Sequence, residues 1–281
     1  MTRIIALGNA KGGTGKSTLA MHLTVALLNR GLSVATIDLD ARQGTLSRYV
    51  ANRRRFCERT GTVLASPDHT ALHPAPDPQS DTAALLEVIE RVAGKDIVVI
   101  DTPGADTDLA LVGHSFADVI VTPLNDSLID LDVIADVDPV KRTIVRPSHY
   151  AERVWKAKQM RARRDGCKID WVVLRNRVGQ LDARNKRLVA RLLDDLAKRI
   201  GFRVAEGIAE RVIFRELFLD GLTVDDLASL AANERLAVSH VAARQELRTL
   251  LGALDILAPL LPDMTSSPSP RSGKRSGLSA G

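Results

Sequence analysis

Cysteine is nearly absent: Cys57 and Cys167 are the only two in 281 residues, and they lack the close spacing of metal ligands. No disulfide framework or zinc module can be built from them. Long apolar runs are missing as well, none approaching the roughly 20 residues that a membrane-spanning helix requires. The opening residues read as a core strand rather than a signal peptide, so a reducing, cytoplasmic setting is expected. The positive excess is small, +5 from 39 Lys and Arg against 34 Asp and Glu. That balance fits an acidic partner such as nucleic acid and fits ordinary solubility equally well, so the placement of the charges must decide.

Between an apolar run, Ile4 to Leu7, and a helix-like stretch lies Lys11-Gly12-Gly13-Thr14-Gly15-Lys16-Ser17-Thr18. Three glycines let the backbone approach a ligand closely and aim its N–H groups inward, and a helix beginning near Lys16 adds its positive end. This chemistry suits nucleotide phosphates. Lys16 would reach the β- and γ-phosphates, and the Ser17 hydroxyl would ligate Mg²⁺. The usual phosphate-loop pattern puts a glycine where this chain has Ala10, and Lys11 stands at the loop's start instead. A lysine there is entering the loop rather than wrapping it, so it is better placed to reach a partner's nucleotide than its own. A solvated loop charge is the plainer reading of the same residue.

Apolar strand candidates recur between amphipathic stretches: Ile4 to Leu7, Val34 to Asp38, Ile97 to Asp101, Val119 to Thr122 and Trp171 to Leu174. The alternation predicts a single large α/β domain of P-loop type, a mostly parallel twisted sheet with helices on both faces. Ligands collect at the carboxyl ends of such strands. Asn9 to Lys11, Asp38 with Asp40, and Asp101 with Thr102 would converge there. Residues 65 to 81, with Pro67, Pro74, Pro76 and Pro78, read as a surface loop without a core role. Residues 259–281, rich in Ser, Pro and Gly with Arg271, Lys274 and Arg275, read as a disordered basic tail.

Asp101 closes a strand and precedes the turn Thr102-Pro103-Gly104, so it reads as the carboxylate that holds the Mg²⁺ shell through water, with the turn as a switch. Capping of a helix is the alternative role. Alternation sends Asp38 and Asp40 to one side, where either can address the metal shell or an attacking water. Asn176, after the strand at Trp171, carries both a donor and an acceptor, which suits the edge of adenine; asparagine is also a common turn residue. From Leu181 to Ile200 a helix is predicted with Leu188, Val189, Leu192, Leu193, Leu196 and Ala197 on one face. Steps of about 100° put Arg184, Arg187, Arg191 and Lys198 on another face, a ridge able to contact DNA phosphates without reading sequence. With Asp194 and Asp195 beside it, a solvated face with intrahelical pairs is an equal reading. Arg235 to Leu254 is expected as an amphipathic helix packed on the sheet, with Arg244, Glu246 and Arg248 outward.

The pattern Lys-Gly-Gly-x-Gly-Lys-Ser from Lys11 to Ser17 resembles the deviant Walker A motif of the ParA/MinD family of ATPases. The resemblance implies two ATP molecules sandwiched in a homodimer, hydrolysis to ADP with Mg²⁺, and Lys11 acting in trans. It further implies that Asp40 orients the attacking water with Asp38 in support, and that Asn176 reads the adenine amino group. One departure is Ala41-Arg42, where a proline commonly follows the second aspartate, with Gln43 after it. Four stretches are similar more narrowly to the MipZ branch of division-site positioning ATPases: Thr122 to Ser127, Val137 to Val140, Trp171 to Arg177, and Glu210 to Phe218 with Gly221 to Leu227. That likeness covers residues 1–258 and implies nonspecific DNA binding by the dimer, a ParB-like centromere-binding partner, inhibition of FtsZ, and a nucleoid-associated polar gradient. A ParA-type partition ATPase, a small-molecule kinase or synthetase, and a nucleotide-binding scaffold with negligible turnover are the alternatives. A membrane-cycling relative would need a bulky amphipathic terminal helix, and residues 263–281 offer only Met264 and Leu278. An iron–sulfur reductase would need cysteines near the switch turn, where neither Cys57 nor Cys167 lies.

Overall fold

Strands that are apolar on both sides must be covered on both sides, and the chain meets this demand by alternating strand with helix. The computed structural model describes residues 2–73, 77–125, 127–138, 143–178, 183–230 and 237–256. In chain order the elements are β1 (Arg3–Leu7), α1 (Lys16–Leu28), β2 (Val34–Asp38), α2 (Thr45–Thr60), β3 (Asp68–Ala71), α3 (Pro78–Arg91), β4 (Ile97–Asp101), α4 (Asp108–Phe116) and β5 (Val119–Asn125). After a 3-10 helix at Leu128–Val133 come β6 (Ala135–Val137), β7 (Ile144–Pro147), α5 (His149–Asp165), β8 (Asp170–Asn176), α6 (Ala183–Ile200), β9 (Arg203–Ala205), α7 (Ile213–Asp220), α8 (Val224–Leu230) and α9 (Val238–Ala253).

Seven strands make one sheet in the order β3-β2-β4-β1-β5-β8-β9, parallel at every pairing. β6 and β7 form a separate antiparallel pair. Alternate residues of each strand feed two cores. Ile4, Ala6, Ile37, Val98 and Ile120 pack with α3 to α6, while Ile5, Leu7, Val99, Val121 and Leu174 pack with α1, α2 and α7 to α9. The expected mostly parallel sheet with helices on both faces is what forms, and β5 and β8 run to Asn125 and Asn176, beyond their apolar stretches.

Two expectations are corrected. Residues 65 to 81 are not simply a loop: Asp68–Ala71 pairs along β2 as the edge strand, from Ala35↔Asp68 to Asp38↔Ala71. Its prolines flank the strand instead of interrupting it, and Pro78 opens α3 behind the Asp77 cap, a position where a missing N–H costs nothing. Nor do Arg244 and Glu246 point outward from α9. Arg244 Nε pairs with Asp225 Oδ1 at 3.1 Å, and Glu246 takes both guanidinium nitrogens of Arg211 at 2.7 and 2.8 Å. Helical spacing assigns a face, but the partners come from segments remote in sequence. No helix among the described residues is long and apolar enough to cross a membrane. Residues 259–281 lie outside the described residues.

Candidate nucleotide site

Sheet register assembles the site. Leu7, Asp101 and Asp38 are neighbours across three adjacent strands, so the segments leaving β1, β4 and β2 emerge side by side at the carboxyl edge. Gly13 and Gly15 adopt φ of 73° and 87°, the region where a Cβ is penalised, and α1 starts at Lys16 immediately behind them. Gly12 serves another purpose. A Cβ on Gly104 would come within 3.0 Å of Gly12 Cα and N, so the turn after β4 rests backbone against backbone on the phosphate loop. Gly12, Gly13, Gly15, Lys16, Ser17, Thr18, Asp40 and Gln43 wall a cleft of about 530 Å³ at this place. Thr14 is buried beneath it.

Lys16 is only 7% exposed, and its Nζ donates to the Lys11 carbonyl at 3.1 Å. Burial lowers its pKa, with Asp101 and Asp40 pulling the other way. Burial pushes the Asp101 carboxyl up to about 7; a hydrogen bond from Ser17 and the Lys16 charge oppose this, and Asp38 and Asp40 add to it. Asp101 Oδ1 is buried with no hydrogen-bond partner. A hydroxyl beside a carboxylate with an unused oxygen is the hard-oxygen donor set that Mg²⁺ takes together with nucleotide phosphates and water. Ser17 and Asp101 therefore fit that ion.

The two aspartates after β2 have different surroundings. Asp38 is fully buried; its Oδ1 accepts from the Asp40 N–H at 2.9 Å, and its Oδ2 accepts from the N–H and hydroxyl of Ser47 at 3.0 and 2.6 Å. It ties the loop to the first turn of α2. Asp40 lines the cleft, and burial raises its carboxyl above the ordinary carboxylate range, against a hydrogen bond from Gln43. Lys11 lies outside the cleft wall: its Nζ meets Asp130 Oδ1 at 3.4 Å, and its N–H donates to Asn9 Oδ1 at 2.7 Å.

Asn176 ends β8, and its Nδ2 donates to the Thr14 carbonyl at 2.7 Å. With that donor committed to the loop, the amide oxygen is the group suited to accept from a 6-amino group. A second pocket opens beside it, walled by His22, Arg177, Ile208, Ala209, Phe214 and Leu247. Arg177 and Phe214 lie in stretches singled out by resemblance, but sequence reasoning does not bring these residues together. Ile208 arrives through its N–H bond to the Arg175 carbonyl at 2.9 Å and the bridge Val178↔Ala209, pairings that no local pattern marks. Burial drives His22 down to a pKa of about 4, so it adds no charge to this pocket at neutral pH.

On α6, Val189, Leu192, Leu193 and Leu196 are buried while Arg187, Arg191 and Lys198 are exposed, as the helical spacing requires. Arg184 belongs to α6, but its side chain lies outside the described residues.

A family model described as ATPase MipZ matches residues 3–258. The carboxysome distribution maintenance protein A of Gloeobacter kilaueensis is 33% identical over 153 residues, 54% of this chain and 61% of its own length. The chain thus spans less than two thirds of that curated relative. Among solved structures, an ATP complex of Cyanothece McdA aligns with a TM-score of 0.61 at 15% identity, covering 92% of this chain and 96% of the other. MinD of Pyrococcus horikoshii OT3 complexed with Mg-ADP gives 0.55 at 19% identity, over 92% and 98%. At such identities the likeness is one of fold.

Proposed function

The chain belongs to the MipZ family of ATPases, and on that premise we propose that it is a dimerising ATP switch that positions the division site. In this reading it hydrolyses ATP, binds DNA without sequence preference as a dimer, takes a ParB-like protein as partner and inhibits FtsZ assembly. A cytoplasmic, nucleoid-associated polar gradient follows from that cycle. The observation that carries the reading is the contact of Gly104 with Gly12. A turn resting on the loop that holds the phosphates is placed to respond when a γ-phosphate arrives, and Lys11, at the start of that loop, lies outside the cleft wall where a second subunit's phosphates would meet it. Nucleotide state then becomes oligomeric state.

Each residue has a distinct task in the cycle. Lys16 and the N–H groups from Gly12 to Thr18 hold the phosphates, and Asn176 accepts from the adenine amino group. Mg²⁺, when held by Ser17 and through water by Asp101, neutralises charge on the phosphate oxygens. Asp40 orients the attacking water, and Asp38 keeps the loop that carries Asp40 fixed to α2. Size-exclusion chromatography tests the whole reading: a dimer is expected with ATP or a slowly hydrolysed analogue and a monomer with ADP. A monomer under every condition ends it.

Asp40→Ala is expected to leave ATP affinity intact and slow hydrolysis by about a hundred-fold or more, because a water-positioning group acts on the barrier rather than on the bound state. Phosphate release at saturating ATP measures this, and unchanged turnover removes Asp40 from the role. Arg187→Ala with Arg191→Ala is expected to weaken binding of unrelated DNA duplexes equally. The salt slope should fall by about one for each arginine that no longer neutralises a phosphate. Parental affinity across a salt titration would reduce the ridge to a solvated face.

A further inference from the structure

We propose that the DNA track continues from α6 onto α5, where Trp155 is an uncharged anchor against the duplex backbone; this rests on the DNA-binding reading above. The chain has two tryptophans. Trp171 is 2% exposed in the core, whereas Trp155 stands 59% exposed on α5. An exposed indole offers a large apolar face and an N–H donor together, the combination suited to a wet interface. Val154, Ala151 and Ala157 hold α5 to the core, which turns Trp155, Lys156, Gln159 and Arg163 outward.

Trp155 faces the last turn of α6, where Arg199 and Ile200 line a groove with it. A groove of about 280 Å³ separates the helices, with Trp155 and Ala151 on one wall, Arg199 and Ile200 on the other, and Trp171 among the lining residues. Lys158 fixes the geometry by donating to the Gly201 carbonyl at 2.9 Å just beyond α6. Arg187 to Lys198 covers about 16 Å at a helical rise of about 1.5 Å per residue, the reach of several phosphates along one strand. Exposed Lys156 and Arg163 on α5 and Arg199 at the end of α6 add positive charge beside the exposed Arg187, Arg191 and Lys198, against Glu152 in the groove and Asp194 and Asp195 on α6. Charge complementarity over this length favours a polyanionic rod over a compact protein. An indole on such a track contacts deoxyribose with its face and a phosphate oxygen with its N–H, neither of which depends on sequence.

The test measures labelled duplexes of two unrelated sequences binding to the full chain held dimeric by a slowly hydrolysed ATP analogue. Trp155→Ala is expected to weaken both by about ten-fold with an unchanged salt slope, since no charge is removed, while Trp155→Phe retains most of the affinity. DNA should alter the tryptophan emission of the parent and leave that of both variants, which report only Trp171, unaltered. If the parent binds DNA but Trp155→Ala binds it equally and parental emission does not move, the inference is overturned and the groove is left to a protein partner. If the dimeric parent binds neither duplex, the DNA-binding reading itself fails, and the inference falls with it.

Discussion

Lys11→Ala is expected to keep nucleotide affinity within about two-fold of the parent while abolishing ATP-dependent dimerisation, and Lys16→Ala to lose nucleotide affinity by about a hundred-fold or more. The two lysines share one loop but not one task. Lys16 lies buried behind the phosphate cleft, with its Nζ on the Lys11 carbonyl, so its removal takes a desolvated charge from the β- and γ-phosphate positions. Lys11 is outside that cleft and paired with Asp130, its side chain 38% exposed, and loss of such a pair costs the folded subunit no more than about 1 kcal/mol. Titration with a fluorescent ATP analogue and light scattering after size exclusion separate the two effects. A Lys11→Ala variant that still dimerises with ATP would remove the role in trans.

The separation of those lysines is legible in the sequence because spacing in a tight loop dictates reach. The five central strands are legible for a similar reason: burial on both faces demands unbroken apolar runs, and few other elements produce them between amphipathic helices. β3 is hidden because an edge strand needs only one ladder and tolerates the polar run Asp68–His69–Thr70. Within the site, Asp38 and Asp40 share a strand-side parity, yet Ser47, brought in by α2, takes the carboxylate of Asp38 and leaves Asp40 on the cleft. Parity cannot reveal a hydrogen bond from another element. The pocket beside Asn176 is less visible still, because Ile208, Ala209 and Phe214 join Asn176 only through tertiary pairing.

Asp226→Asn is expected to destabilise the fold by about 3 kcal/mol or more, although residue 226 touches no nucleotide-binding group. Arg53 is fully buried in α2; its Nη1 and Nη2 reach Asp226 Oδ2 and Oδ1 at 2.8 and 2.7 Å, and Nε reaches the Ala65 carbonyl at 2.8 Å. Asp226 Oδ2 also accepts from the Thr223 N–H and hydroxyl at 2.7 and 2.8 Å. Both oxygens are therefore faced by donors, and whichever way an asparagine amide turns, its NH₂ meets another donor while Arg53 keeps a buried charge without a counterion. Gly221 packs directly on the backbone of α2, where an added Cβ would lie 2.0 Å from the Arg53 backbone nitrogen. With about 2–4 °C per kcal/mol for a chain of this size, Tm should fall by roughly 6–12 °C. Saturating ATP should raise parent and variant in parallel, because ligand linkage depends on affinity and the site itself is unaltered. A Tm within about 2 °C of the parent would mean that the helix pair is held by its apolar packing and that the ion pair sets only its register.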